Sequence, residues 1–175
     1  MITVPRSSTD VNFSCCPGTA LHHHPPVLRC CDAEPVDIPA AGAIVFDSAG
    51  RLLLIRRLRP PAVGRWSVPG GKCLPDEPAA AACVRECLEE TGLLVQVQRP
   101  AGTVRIPALG GDYFLVEDFV CSVVGGTARA ADDAGELRWV GHEELRCLPL
   151  TSGLLQALTD WNLLPRQLPP DACSG

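Results

Sequence analysis

The chain predicts a mixed α/β layered domain, with short strands grouped around one or two helices. Three observations point there. Apolar runs at 41–46, 51–57 and 113–124 are rich in Val, Leu, Ile and Phe, and Gly, Pro, Asp or Ser bound them. One longer stretch, 78–90, carries strong helix formers and is followed by Gly92. The 175 residues are enough for one domain with a sizeable core. Periodicity alone goes no further than this class.

Residues 1–36 have no hydrophobic period and are punctuated by Pro5, Pro17, Pro25, Pro26 and Pro35. They read as a flexible leader. Cys15, Cys16, Cys30 and Cys31 flank His22, His23 and His24. A zinc site is conceivable there, but the spacing fits no standard ligand pattern, and a disordered extension is the better reading. The domain is expected over 37–164 and a flexible tail over 165–175.

Within the domain, 41–46 and 51–57 predict a hairpin closed by a turn at Asp47–Gly50. Residues 58–65 hold Pro60, Pro61 and Gly64 and read as a loop. Arg56, Arg57, Arg59 and Arg65 cluster around it, either as a solvated rim or, for one or two, as forks for a substrate phosphate. Residues 66–68 form a short strand feeding a turn at Pro69-Gly70-Gly71. After the helix, 93–98 and 103–107 predict two strands, 113–124 a central one and 136–140 a last one. In the central run, Glu117 and Asp118 are adjacent and so face opposite ways. A helical turn at 142–145 and a helix at 152–158 follow. The cysteines at 73, 83, 87, 121 and 147 read as small buried hydrophobes.

The helix carries the chemistry. Asp76 or Glu77 can cap it, with Pro78 at its first position. With Glu86 at zero, Glu90 lies about 40° to one side and Glu89 about 60° to the other. Ala80, Ala81, Val84, Cys87 and Leu88 fall roughly opposite, as a stripe to pack on a sheet. Arg85 reaches Glu89 at the i, i+4 spacing. Three like charges on one face repel one another, and alone they read equally as a solvated surface or as a site. Gly70 and Gly71 free the chain to turn and bring a carbonyl beside the carboxylates. Such oxygens together suit Mg²⁺ or Mn²⁺.

Gly71, Glu77, Arg85, Glu86, Glu89, Glu90, Gly92 and Leu93 resemble the Nudix box, G-x5-E-x7-R-E-U-x-E-E-x-G-U, where U is aliphatic. Cys87 departs at the first U. The resemblance implies a Nudix-type α/β/α sandwich with a mixed sheet and a metal-dependent pyrophosphohydrolase. It implies Glu86, Glu89 and Glu90 as metal ligands with Gly70 lending its carbonyl, Arg85 as their orienter and Glu77 as a brace. The general base comes from the box or from a later acid: Asp132, Asp133 or Glu136. Lys72 is either a phosphate contact or solvated, and Trp66, Tyr113 and Phe114 either stack on a base or pack. Weaker matches at Pro60-Pro61, 64–72, 132–134 and 138–140 resemble the ADP-ribose pyrophosphatase-like branch. The expected substrate is therefore ADP-ribose or a related nucleotide sugar. Oxidised nucleoside triphosphates, as cleared by pool-cleaning enzymes, are the alternative, and a non-catalytic nucleotide-sugar sensor is the third reading.

A net charge of −5 without a basic block argues against general nucleic-acid binding. The apolar runs are too short to cross a membrane, and no secretory signal is visible. A cytoplasmic place and a small-molecule nucleotide substrate are the expectations, with a homodimer one of the assembly states left open.

Overall fold

The computed structural model describes residues 34–108, 110–130 and 134–167. The leader as far as residue 33 and the tail from 168 lie outside these residues, as do Asp132 and Asp133. The order of elements is β1 (Asp37–Val45), β2 (Leu52–Arg57), β3 (Trp66–Ser67), β4 (Gly70–Lys72), α1 (Ala79–Thr91), β5 (Leu93–Pro107), β6 (Tyr113–Gly126), β7 (Ala134–Val140), α2 (His142–Cys147) and α3 (Leu154–Asp160).

Side chains alternate along a strand, and here the alternation sorts them into two cores. On β1, Ala41, Ala43 and Val45 join one cluster while Ile44 joins the other. On β2, Leu53 goes with the first cluster and Leu52 and Leu54 with the second. The first core is closed by Ala82, Cys83 and Cys87 of α1. Leu145 of α2 and Leu158 of α3 close the second. Helices therefore cover both faces, which gives the expected α/β/α sandwich.

One sheet runs β4-β1-β6-β5, and the other β3-β2-β7. β1 and β6 are parallel while β1–β4 and β5–β6 are antiparallel, so the larger sheet is mixed. β1 and β6 lie inside it, and their residues are correspondingly apolar.

The strands differ from expectation in three ways. β1 and β2 do not form a hairpin ladder; a single bridge joins Phe46 to Leu52. Asp47 Oδ1 accepts the N–H groups of Ala49 and Arg51 at 3.0 and 2.8 Å, and this turn delivers the chain to the other sheet. Residues 93–107 make one strand, not two. It bends through register shifts, and Pro100 is accepted because β5 is an edge strand. The Gly70–Gly71 segment is itself a strand, paired with β1 at Gly42↔Gly70 and Ala41↔Gly71. The turn falls just before it, where Pro69 O accepts the Ala43 N–H at 2.8 Å.

Cys83, Cys87 and Cys121 are buried as expected, whereas Cys147 is exposed at the end of α2. Among the described residues, no helix is long and apolar enough to cross a membrane.

Candidate active site

The site is built on α1, whose packing face is rotated from the amphipathic expectation: Ala80, Val84 and Cys87 pack on the first core as expected, but the rest of the stripe does not. Cys83, Cys87 and Thr91 are buried, but Ala81 and Leu88, assigned above to the packing stripe, are exposed, Leu88 to 45%. The buried face lies between the two predicted faces, so Glu86 and Glu90 sit at its margin and turn toward β4. Pro78 occupies the N-cap with no side-chain cap bond, because Glu77 is engaged elsewhere. Gly92 ends the helix in the left-handed conformation, at φ 69°.

Arg85 is the hub of the acidic cluster. Its Nε and Nη2 donate to the two carboxylate oxygens of Glu77 at 2.8 and 2.7 Å. Its Nη1 donates to Glu86 at 2.7 Å and to Glu89 at 3.2 Å. Nη2 also donates to the Lys72 carbonyl at 3.1 Å, tying the helix to β4. Glu77 accepts the Leu74 N–H as well, at 2.8 Å. Pairing with Arg85, then the Leu74 N–H, holds the Glu77 carboxyl down at about 2.

Both glycines of β4 face this cluster. Gly70 donates its N–H to Glu90 at 2.8 Å. A Cβ at Gly71 would lie 2.5–2.6 Å from the Glu86 carboxylate, so only glycine leaves room for it. Carboxylates against a half-buried glycine strand are a donor set suited to a hard divalent cation. Among the described residues, no group of three or more His, Cys, Asp or Glu is arranged to hold an ion. Arg85 holds two of the three glutamates, and Glu89, with its side chain 57% exposed, has room to rotate. The residues fit a hard cation by the chemistry of their donor oxygens.

A cleft of 760 Å³ opens beside β4. Gly42 of β1, Ser67, Gly70 to Lys72, 104–107 of β5, Phe114, Val116 and Asp118 of β6, and the start of α3 line it. Of the predicted substrate contacts, Arg57 and Lys72 reach the cleft. Arg56 instead donates to the Gly64 carbonyl at 3.3 Å and lies 4.0 Å from Glu136. Arg65 donates to Leu150 O at 3.3 Å. Trp66 is 4% exposed in the second core with the Arg138 guanidinium 5.0 Å from its ring, so it packs instead of lining the cleft. Glu136 pairs with Arg138 at 2.6 Å and does not line the cleft either. Phe114 lines the cleft with Lys72 Nζ 5.4 Å from its ring, while Tyr113 is covered by Arg105 at 3.7 Å.

Two buried cleft residues were not assigned from sequence: Asp118 was noticed without a role, and Ser67 was missed. Asp118 is 5% exposed and Ser67 8%, and neither Asp118 Oδ1 nor Ser67 Oγ has a hydrogen-bond partner. Burial pushes the Asp118 carboxyl up to about 7. The signal was the alternation of β6: Phe114, Val116 and Asp118 share one face, which leaves Glu117 on the other.

A family model described as the NUDIX domain matches residues 37–161. A Bacillus subtilis protein whose name proposes it as an 8-oxo-dGTP diphosphatase is 35% identical over 101 residues, 57% of this chain and 64% of its own length. An ADP-ribose pyrophosphatase of Methanocaldococcus jannaschii is 33% identical over 93 residues, 53% of this chain and 55% of its own length. Each alignment spans less than two thirds of the relative. The crystal structure of a MutT NUDIX hydrolase from Burkholderia pseudomallei superposes with a TM-score of 0.64 at 31% identity, over 73% of this chain and 98% of that one.

Proposed function

The chain belongs to the Nudix family, and on that premise we propose that it is a divalent-metal-dependent pyrophosphohydrolase of nucleoside diphosphate derivatives. The observation that carries the reading is the acidic cluster: one arginine grips Glu77, Glu86 and Glu89, and Glu90 is bonded to the glycine strand beside it.

A diphosphate is kinetically inert because its negative oxygens repel a nucleophile. A bound Mg²⁺ or Mn²⁺ would cancel part of that charge and make a water more acidic. Glu86, Glu89 and Glu90 would hold the ion, with the Gly70 carbonyl as a further oxygen. Arg85 positions the glutamates, and Glu77 fixes Arg85. Arg57 and Lys72, at the cleft, supply positive charge for phosphate oxygens. The general base is one of the cluster glutamates or a residue of the segment before β7, Asp132 or Asp133.

For the substrate we favour ADP-ribose or a related nucleotide sugar, cleaved to a nucleoside monophosphate and a sugar phosphate. Support comes from the motif matches outside the box and from the Methanocaldococcus relative. The Bacillus relative's name supports a second reading, removal of oxidised nucleoside triphosphates. Measuring kcat/KM for ADP-ribose, NADH, 8-oxo-dGTP and the common dNTPs at saturating Mg²⁺ separates them. A preference of tenfold or more for a triphosphate, about 1.4 kcal/mol in transition-state binding, rejects the sugar reading. Absence of any hydrolysis leaves the sensor reading.

A further inference from the structure

We propose that Asp118, supported by Ser67, is a specificity-determining residue that reads the hydrogen-bonding edge of the substrate's nucleobase. The inference rests on the proposed function, since it assumes that the cleft receives a nucleotide. It is carried by the geometry around Asp118.

Asp118 lies on β6 between Gly42 of β1 and Gly102 of β5, its partners on the two neighbouring strands. Both partners lack side chains where a side chain would collide. A Cβ on Gly42 would overlap Asp118 Oδ1, and a Cβ on Gly102 would overlap the indole of Trp161. The carboxyl therefore occupies space that a glycine leaves open. It is nine-tenths buried yet lines the cleft, and Oδ1 has no hydrogen-bond partner. An unpaired buried polar atom costs about 1–3 kcal/mol. The two residues that carry such atoms, Asp118 and Ser67, both line the cleft. A ligand that pairs with them removes that cost.

The group these observations favour is polar and carries no negative charge. A phosphate is disfavoured, because a carboxyl repels it and the cleft cations Arg57 and Lys72 are better partners for it. The walls beside Asp118 are apolar, with Val68 in contact with the Gly42 position and Val116 on the same face of β6. Such surroundings suit a heterocycle with a few placed hydrogen bonds. Burial favours the protonated carboxyl, which donates through one oxygen and accepts through the other. That pattern complements a base edge presenting a ring nitrogen next to an exocyclic group. A site built to pair such an edge discriminates strongly against a base that mispairs, because its buried groups are then left unmatched.

The test compares the wild type with Asp118→Asn, Asp118→Val and Gly42→Ala. Each is assayed with Mg²⁺ on diphosphate-linked sugars of adenine, guanine, cytosine and uracil, and on 5-phosphoribosyl diphosphate, which has no base. We expect the ratio of kcat/KM between the best and worst base to fall at least tenfold in Asp118→Val, mainly through KM. The base-free substrate should change less than twofold. Gly42→Ala, which displaces the carboxyl without removing it, should shift the same ratio. Thermal melts and the base-free substrate report whether each variant is folded. Equal losses on all substrates, or an unchanged base preference in a folded Asp118→Val, would overturn the inference and leave the hydrolase reading intact. No turnover of any substrate by the wild type would instead overturn the hydrolase reading, and the base assignment with it.

Discussion

Replacing Asp118 by Asn should make the protein more stable than the wild type at alkaline pH, and the gain should grow with pH. Burial raises this carboxyl from 3.8 to about 7. Between those values the folded chain binds a proton that the unfolded chain has released. Stability of the wild type therefore falls as pH rises through this window and levels off above it. At 1.36 kcal/mol per pKa unit the full penalty is about 4 kcal/mol by pH 8, of which about 2–3 kcal/mol accumulates between pH 5 and 8. The substituted amide carries no charge and escapes it. Buried in the same place, that amide is unpaired at every pH, so its cost cancels from the pH dependence. So do all other titrating groups, which both proteins share. Urea denaturation of both proteins at half-unit steps from pH 5 to 8 gives the difference curve. Wild type and variant running parallel within about 0.5 kcal/mol would show that Asp118 ionises freely in the folded protein, and the reasoning from its burial would fail.

Glu90→Gln should lower kcat on the order of a hundredfold while the melting temperature holds, because the Gln oxygen still accepts the Gly70 N–H; near-wild-type turnover would remove Glu90 from the proposed ligand set. Gly71→Ala places a methyl 2.5–2.6 Å from the Glu86 carboxylate and should cost about 1–3 kcal/mol together with most activity; a stable, active alanine variant would contradict the close approach. Arg85→Lys keeps the charge but loses the two-pronged grip on Glu77, so the Glu77 carboxyl should titrate above about 2, closer to its usual range; NMR titration of the side-chain carboxyl reads this directly. Chelation by EDTA should abolish hydrolysis and added Mg²⁺ or Mn²⁺ should restore it; persistent activity in EDTA would end the metal reading.

The fold was legible where local pattern and burial agree. Residues 41–45 and 52–55 are buried on both faces, and both runs were recognisable as strands. Their pairing was not, because an apolar run buried on two faces gives no preference for one neighbour over another. The proline at 100 split one strand into two on paper, since sequence does not show that β5 is an edge strand where a missing N–H goes unmissed. Of the Arg85 network, only the pair with Glu89 was readable from spacing, at i, i+4; the bonds to Glu77 and Glu86 were pointed to only by the resemblance. The bond from Gly70 to Glu90 was not, as it depends on how the strand lies against the helix. Asp118 was noticed and not assigned, because alternation orients a side chain without saying which face meets a cleft.

Glu86, Glu89 and Glu90 are not among the residues that line the cleft, although the glycine strand is. β4 is thus the element common to both, and each of its residues serves one or the other. Gly70 is bonded to Glu90, Gly71 makes room for Glu86, and Lys72 gives its carbonyl to Arg85 while its side chain reaches the cleft. Under the proposed function, a nucleotide with its base against Asp118 must carry its diphosphate over this three-residue edge to meet the carboxylates. A side chain at Gly70 or Gly71 would obstruct that path as well as strike Ala41 O or Glu86. Two separate demands therefore fall on this edge: close packing, of Gly70 against β1 and of Gly71 against Glu86 of the helix, and, under the proposed function, clearance for a substrate crossing above it. The exposed Leu88 follows from the first demand. Turning Glu86 and Glu90 inward toward β4 rotates an apolar residue out to solvent, a cost of the sort that folds retain at sites of chemistry.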